Sequence, residues 1–197
     1  MNRKKLIIVI LAFIVLLAGA GMLYNQLSGQ FTPDSIVEDN SQGDVNSEEQ
    51  SGETGEKPQK QMAPDFTVYD ADGNPAALAD FFGKPIVLNF WASWCGPCKS
   101  EMPDFEAKNK ELGDEIQFLM VNCTGGRETL ESAMDFVKNS GYTFPVYYDT
   151  DLDASATYGT NSIPMTFFID GEGYLIAYAQ GAINAGLLDQ GIGMITE

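Results

Sequence analysis

Cys95 and Cys98, separated by Gly96-Pro97, are the residues whose type and spacing speak most directly of chemistry. Two thiols one helical turn apart can alternate between a dithiol and a disulfide, passing two electrons to or from a partner disulfide. The attacking species in such exchange is the thiolate, so the first question is what would stabilise a sulfur anion here. Trp94-Cys95-Gly96-Pro97-Cys98-Lys99 follows an apolar run, Pro85 to Ala92, and opens a stretch with helical character. A thiol at a helix start meets unpaired backbone N–H groups and the positive end of the dipole, both of which lower its pKa. Cys95 is therefore the expected nucleophile. Cys98, one turn inside, is placed to attack a mixed disulfide on Cys95 and release the reduced partner. Pro97 suits the first turn, where its missing N–H costs nothing.

Two other uses of such a pair compete with this one. Half of a zinc site would need further ligands, but Cys123 is the one remaining cysteine and histidine is absent, so no metal is expected. A fixed staple suits an exported protein, yet it needs neither a helix start nor a flanking tryptophan. Cys123, at the end of a strand pattern, reads as a small buried hydrophobe rather than a third redox thiol. Without histidine the usual general base is missing too, which leaves thiols, carboxylates and hydroxyls to do any chemistry.

The elements that must hold the pair are legible around it. Phe66 to Tyr69 is a short strand pattern, Asp70 to Asn74 a turn, and Pro85 to Ala92 a buried central strand. A helix is predicted from Cys95 to Leu112, bent near Pro103, where proline removes a helical hydrogen bond. Ile116 to Asn122 is the next strand. Leu130, Ala133, Met134 and Val137 recur at helical spacing, with Gly141 where a helix-ending glycine belongs. Phe144 to Tyr148 reads as a strand, and Leu152 to Tyr158 as a short helix stopped by Gly159. Met165 to Ile169 and Tyr174 to Gln180 form a hairpin around Asp170-Gly171-Glu172-Gly173. The fold class is α/β, a mixed central sheet with helices on both faces.

Composition divides the 197 residues into three parts: 1–24, 25–61 and 62–197. Arg3, Lys4 and Lys5 precede the uncharged run Leu6 to Leu23, which is long for a signal peptide and nearly long enough to span a bilayer. An N-terminal membrane anchor is expected, with cleavage after Ala18-Gly19-Ala20 and secretion as the alternative. A lipid-anchored cysteine is excluded at this point because Ala20 follows Leu17-Ala18-Gly19. In both readings the basic residues stay cytoplasmic and the rest is exported. Residues 25–61 are polar and acidic, with too few apolar residues to offset ordering, and read as a disordered linker that lends the domain reach. The net charge of −17, with no Lys or Arg after Lys138, leaves nothing to neutralise phosphates, so no nucleic-acid partner is expected.

From Met62 to Gly181 the chain resembles the TlpA/ResA-type thiol-disulfide oxidoreductases, a redoxin/AhpC-TSA-related branch of the thioredoxin-like proteins. The resemblance is carried by Ala63-Pro64-Asp65-Phe66, by Phe90-Trp91-Ala92-Ser93-Trp94-Cys95-Gly96-Pro97-Cys98, by Glu101-Met102-Pro103, and by Ile163-Pro164 before Thr166-Phe167-Phe168-Ile169-Asp170-Gly171. It implies a thioredoxin-like fold and extracytoplasmic reduction of protein disulfides with no cofactor. It further implies a membrane thiol carrier as electron donor, and targets such as apocytochrome c or oxidatively damaged exported proteins. It also implies that Pro164 is cis and stands beside Cys95, so that Trp94, Gly96, Pro97, Ile163 and Pro164 form the substrate groove. Glu101 lies three residues after Cys98 on one helical face. In the family the matching acid tunes the thiols; the plainer alternative is an exposed acid complementing the helix dipole. Asn89 departs from ordinary thioredoxins, which carry a buried aspartate there, and an amide cannot shuttle protons. The rivals are an oxidising or isomerising folding catalyst, a thiol peroxidase, and a non-enzymatic binding or metal-delivery module of the same fold.

Overall fold

The computed structural model describes residues 60–196 and the backbone of Val37–Glu38. The expected anchor and most of the expected linker lie outside the described residues. Among those described, no helix is long and apolar enough to cross a membrane. The strands in chain order are β1 (Val37–Glu38), β2 (Gln61–Met62), β3 (Thr67–Tyr69), β4 (Pro75–Ala77), β5 (Ile86–Trp91), β6 (Gln117–Asn122), β7 (Val146–Tyr148), β8 (Met165–Ile169) and β9 (Tyr174–Gln180). The helices are α1 (Gly96–Leu112), α2 (Leu130–Ser140), α3 (Asp153–Thr157) and α4 (Ala185–Thr196), with a single 3-10 turn at Leu78–Phe81.

These strands form one mixed sheet in the order β1-β9-β8-β5-β6-β7-β3-β4, with β2 also on β9. β5 runs parallel to β6 and antiparallel to β8, and all six of its residues are buried. A strand covered on both faces has no need of polar alternation, which is why it appears as a continuous apolar run. Its side chains still alternate between layers. Ile86, Leu88 and Phe90 pack with Phe66, Leu78 and Ala154 on one face. Val87 and Trp91 pack with Met102 and Phe105 of α1 and with Ile192 and Ile195 of α4 on the other. Asn89 points to this second face by the same alternation, a polar residue among apolar neighbours.

Helix ends are fixed by local chemistry. Thr129 caps α2 by accepting the Ser132 N–H, and Gly141 closes it with a φ of 69°, a left-handed conformation that glycine adopts without strain. α1 runs through Pro103 as one continuous helix. At the hairpin, Asp170 Oδ1 accepts the N–H groups of Glu172 and Tyr174 at 3.1 and 2.9 Å.

Several features differ from the sequence reading. Regular pairing starts before Met62: Val37–Glu38 and Gln61–Met62 both lie along β9, and Lys60 Nζ reaches Asp170 at 2.9 Å. An outer strand presents a row of backbone donors and acceptors that takes an extended segment whatever its apolar content. β4, the 3-10 turn and α4 had no prediction. α4 carries Gly186, Gly191 and Gly193, which weaken its helical signal. Packing explains one of them, since a Cβ on Gly191 would sit 2.2 Å from the ring of buried Phe168.

Two of the glycines of α4, Gly191 and Gly193, therefore predict opposite outcomes. Gly191→Ala should cost about 1–3 kcal/mol because Phe168 has to move. Gly193→Ala, whose Cβ meets nothing within 4 Å, should be neutral or stabilise by up to about 1 kcal/mol. Urea unfolding of the two variants checks both, and equal stability would contradict the close approach of α4 to β8.

Candidate active site

Cys95 and Cys98 are joined in a disulfide with their Cα atoms 5.3 Å apart. Cys95 is the N-cap of α1, with extended backbone, and the Cys98 N–H donates to its Sγ at 3.2 Å. A free helix-start donor is thus spent on the first sulfur, the arrangement that stabilises a thiolate there. Cys98 is wholly buried and Cys95 retains 4% exposure, so solvent approaches the pair at Cys95. The Ile163–Pro164 peptide is cis, and the Ile163 carbonyl oxygen stands 3.8 Å from Cys95 Sγ. The structure thereby brings the segment before β8, with Ile163 and Pro164, against the Cys95 sulfur at the β5–α1 junction, where Trp94, Gly96 and Pro97 are its neighbours in sequence.

Glu101 is buried rather than exposed at the helix surface, with 2% of its area accessible. Its Oε1 accepts from Asn89 Nδ2 at 2.9 Å and its Oε2 from the Ile183 N–H at 2.9 Å. Burial raises its pKa to about 7, against the partial counter-effect of those two donors, and Asp104 adds a like charge. The carboxyl, three residues after Cys98 on the same helix, thus exchanges its proton near neutrality.

Sequence reasoning did not reach several supporting residues. Glu128, 3% exposed, accepts hydrogen bonds from both the backbone N–H and the hydroxyl of Ser93, the latter at 2.9 Å, and from Ser132 Oγ at 2.5 Å. It ties the loop before α2 to the residue two positions ahead of Cys95. Arg127 lies 4.6 Å from the Trp94 ring centre, a cation–π contact that holds an exposed tryptophan in place. Trp94 and Ile163 border a cleft of about 660 Å³ whose other walls include Leu152, Gly125 and Cys123. Cys123 is a free, partly buried thiol, and burial pushes it up to about 11, away from thiolate chemistry at neutral pH. Among the described residues no cluster of three His, Cys, Asp or Glu side chains is arranged to hold a metal ion.

The chain is similar to known proteins. Residues 60–178 match the AhpC/TSA family. The thiol-disulfide oxidoreductase ResA of Bacillus thuringiensis subsp. konkukian is 37% identical over 137 residues, which cover 68% of this chain and 76% of ResA. The thioredoxin-like protein YneN of Bacillus subtilis is 36% identical over 115 residues, 58% of this chain and 67% of YneN. Among solved structures, the pneumococcal exposed lipoprotein thioredoxin of Streptococcus pneumoniae superposes with a TM-score of 0.58 at 33% identity. That match covers 64% of this chain and 96% of the pneumococcal one.

The Glu101 carboxyl makes stability depend on pH with a definite sign. Its ordinary value is 4.5 and its folded value about 7, so between these the folded protein keeps a proton that the unfolded chain has released. The stabilisation is complete below pH 4.5 and is lost as pH rises to about 7, on the order of 3 kcal/mol in all. Urea unfolding of the disulfide form across that window should show this loss, and Glu101→Gln should remove it. Parallel pH curves for the two proteins would contradict a buried, titrating Glu101.

Proposed function

We propose, from the premise that this chain belongs to the AhpC/TSA family and is a thiol-disulfide oxidoreductase of the TlpA/ResA type, that it reduces disulfides of exported proteins from a membrane tether. The observation that carries the reading is the placement of Cys95 at the start of α1, with Cys98 buried one turn behind it and the cis Ile163–Pro164 bond in front.

In the first step the Cys95 thiolate attacks one sulfur of a substrate disulfide. A mixed disulfide forms on Cys95 and the other substrate sulfur leaves as a thiolate, which takes a proton from water. In the second step Cys98 gives its proton to the Glu101 carboxylate, and the resulting thiolate attacks Cys95 Sγ. The Cys95–Cys98 disulfide closes and the second substrate sulfur departs and is protonated. The substrate has then gained two electrons from the cysteine pair and two protons, one from water and one equivalent to the Cys98 proton, which Glu101 releases as it returns to the carboxylate. Trp94, Gly96, Pro97, Ile163 and Pro164 present the surface on which substrate backbone lies. A dithiol donor, which we assign to a thiol carrier in the membrane, restores the pair by the same exchange in reverse. No metal or organic cofactor enters these steps.

The location rests on Arg3, Lys4 and Lys5 ahead of the uncharged run Leu6–Leu23. Residues 1–24 serve as the anchor, 25–61 as the tether and 62–197 as the catalytic domain. The pneumococcal relative, named as an exposed lipoprotein, supports a place outside the cytoplasm.

Expression of Cys98→Ser in whole cells tests roles and location together. The second step is blocked, so substrates should accumulate as mixed disulfides on Cys95, and the captured proteins should be exported ones. Cys95→Ser should capture none and should lose disulfide reduction altogether. Capture by Cys95→Ser would reverse the assignment of the two thiols, and capture of cytoplasmic proteins would overturn the proposed location.

A further inference from the structure

The Asn89 amide is buried among apolar side chains, yet it leaves its own oxygen without a partner. Both Nδ2 protons are in use: one goes to Glu101 Oε1 at 2.9 Å, the other to Thr166 Oγ1 at 3.0 Å. Turned over, the amide would set its oxygen against the Glu101 oxygen, which repels it whenever the carboxyl is ionised. The observed orientation therefore accepts an unpaired carbonyl in return for a charge-assisted donor to Glu101. Thr166 faces Asn89 directly in the β5–β8 register and is two residues beyond the cis bond at Pro164. Its hydroxyl is the second point that fixes the direction of the amide.

We propose that Asn89, seated by Thr166, is a positioning residue that holds the Glu101 carboxylate ready to take the proton of Cys98. Neither residue touches substrate or the sulfurs in this role; both act through Glu101. The inference rests on the reading of Glu101 given above and adds the device that keeps the carboxylate accessible as a base despite its burial. The groups facing Glu101 are few. From β5 comes Asn89, backed by Thr166 of β8, from the β9–α4 loop the Ile183 N–H, and on α1 itself stand Asp104 and, three residues before Glu101, Cys98. Lys108, further along α1, is taken up by Glu111 and by Asp189 of α4. The donor side chain that stabilises the charged form is thus Asn89, and its loss has a definite sign: the carboxyl should hold its proton to higher pH.

The test uses the full chain in detergent, labelled with 13C at glutamate carboxyls, with the Glu101 signal identified by its absence in Glu101→Gln. The carboxyl is titrated in the disulfide form, and the pH profile of disulfide reduction is recorded beside it. Asn89→Ala should move the Glu101 midpoint upward by about one pH unit, a tenfold rise in proton affinity. Thr166→Val, which keeps the shape and removes the hydroxyl, should move it in the same direction by about half as much, and Thr166→Ser should restore it. The alkaline shift should reappear in the activity profile of each variant. If Asn89→Ala does not fold, Thr166→Val and Thr166→Ser decide the question alone. A folded Thr166→Val with an unshifted midpoint overturns the inference and leaves the role of Glu101 standing. If Glu101→Gln leaves the activity profile unchanged, the role of Glu101 falls and the inference falls with it.

Discussion

A carboxylate is costly to remove from water unless donors wait for it inside. Glu101 is held under that constraint by Asn89 from the central strand and by the Ile183 N–H from the loop before the last helix. Because Asn89 is itself held by Thr166, the strand leaving the cis bond at Pro164 belongs to the same network. The central strand, the strand after the cis bond and the entry to α4 are therefore linked through one buried acid on the helix that Cys95 caps. Burial outweighs the two donors and brings its titration close to neutrality.

A second set of contacts fixes the approach to Cys95 from the opposite side. Glu128 holds the backbone of Ser93, and Arg127, its neighbour in sequence, holds the ring of Trp94. The segment between β5 and α1 is thus gripped from the loop before α2, while its far end is set by the helix it caps. Thiol exchange needs three sulfurs brought nearly into line, and a loop free to wander would lose that geometry. The cleft bordered by Trp94 and Ile163 lies beside this gripped segment.

What was legible in the sequence was local. The buried strand β5, the helix start at Cys95, the Thr129–Gly141 helix and the β8–β9 hairpin each carry their own signals within a dozen residues: an apolar run, a cap, a left-handed glycine, a turn. The thioredoxin-like arrangement came from motif resemblance and is the one the structure adopts. Contacts between distant segments were not legible. Nothing in the vicinity of Glu128 announces Ser93, and Asn89 and Thr166 meet only because their strands pair. α4 was hidden because the glycine that lets it approach Phe168 also erases its helical pattern. The pairing of Val37–Glu38 with β9 was hidden for another reason: backbone addition to a sheet edge asks little of side-chain composition.

Which way electrons flow through the pair is set by how strongly the reduced form is stabilised relative to the disulfide. Gly96 and Pro97 bring no cation or donor side chain to Cys95, and Glu101, three residues after Cys98 on the same helix, opposes a further negative charge there. Both effects disfavour the thiolate and lower the reduction potential. Equilibrating the purified protein in dithiothreitol redox buffers, with the dithiol fraction read by alkylation and mass, measures that potential directly. The account predicts a value close to thioredoxin, about −270 mV, as befits a reductant. A value near that of the strong oxidant DsbA, about −120 mV, would contradict it and make the protein an oxidising catalyst instead.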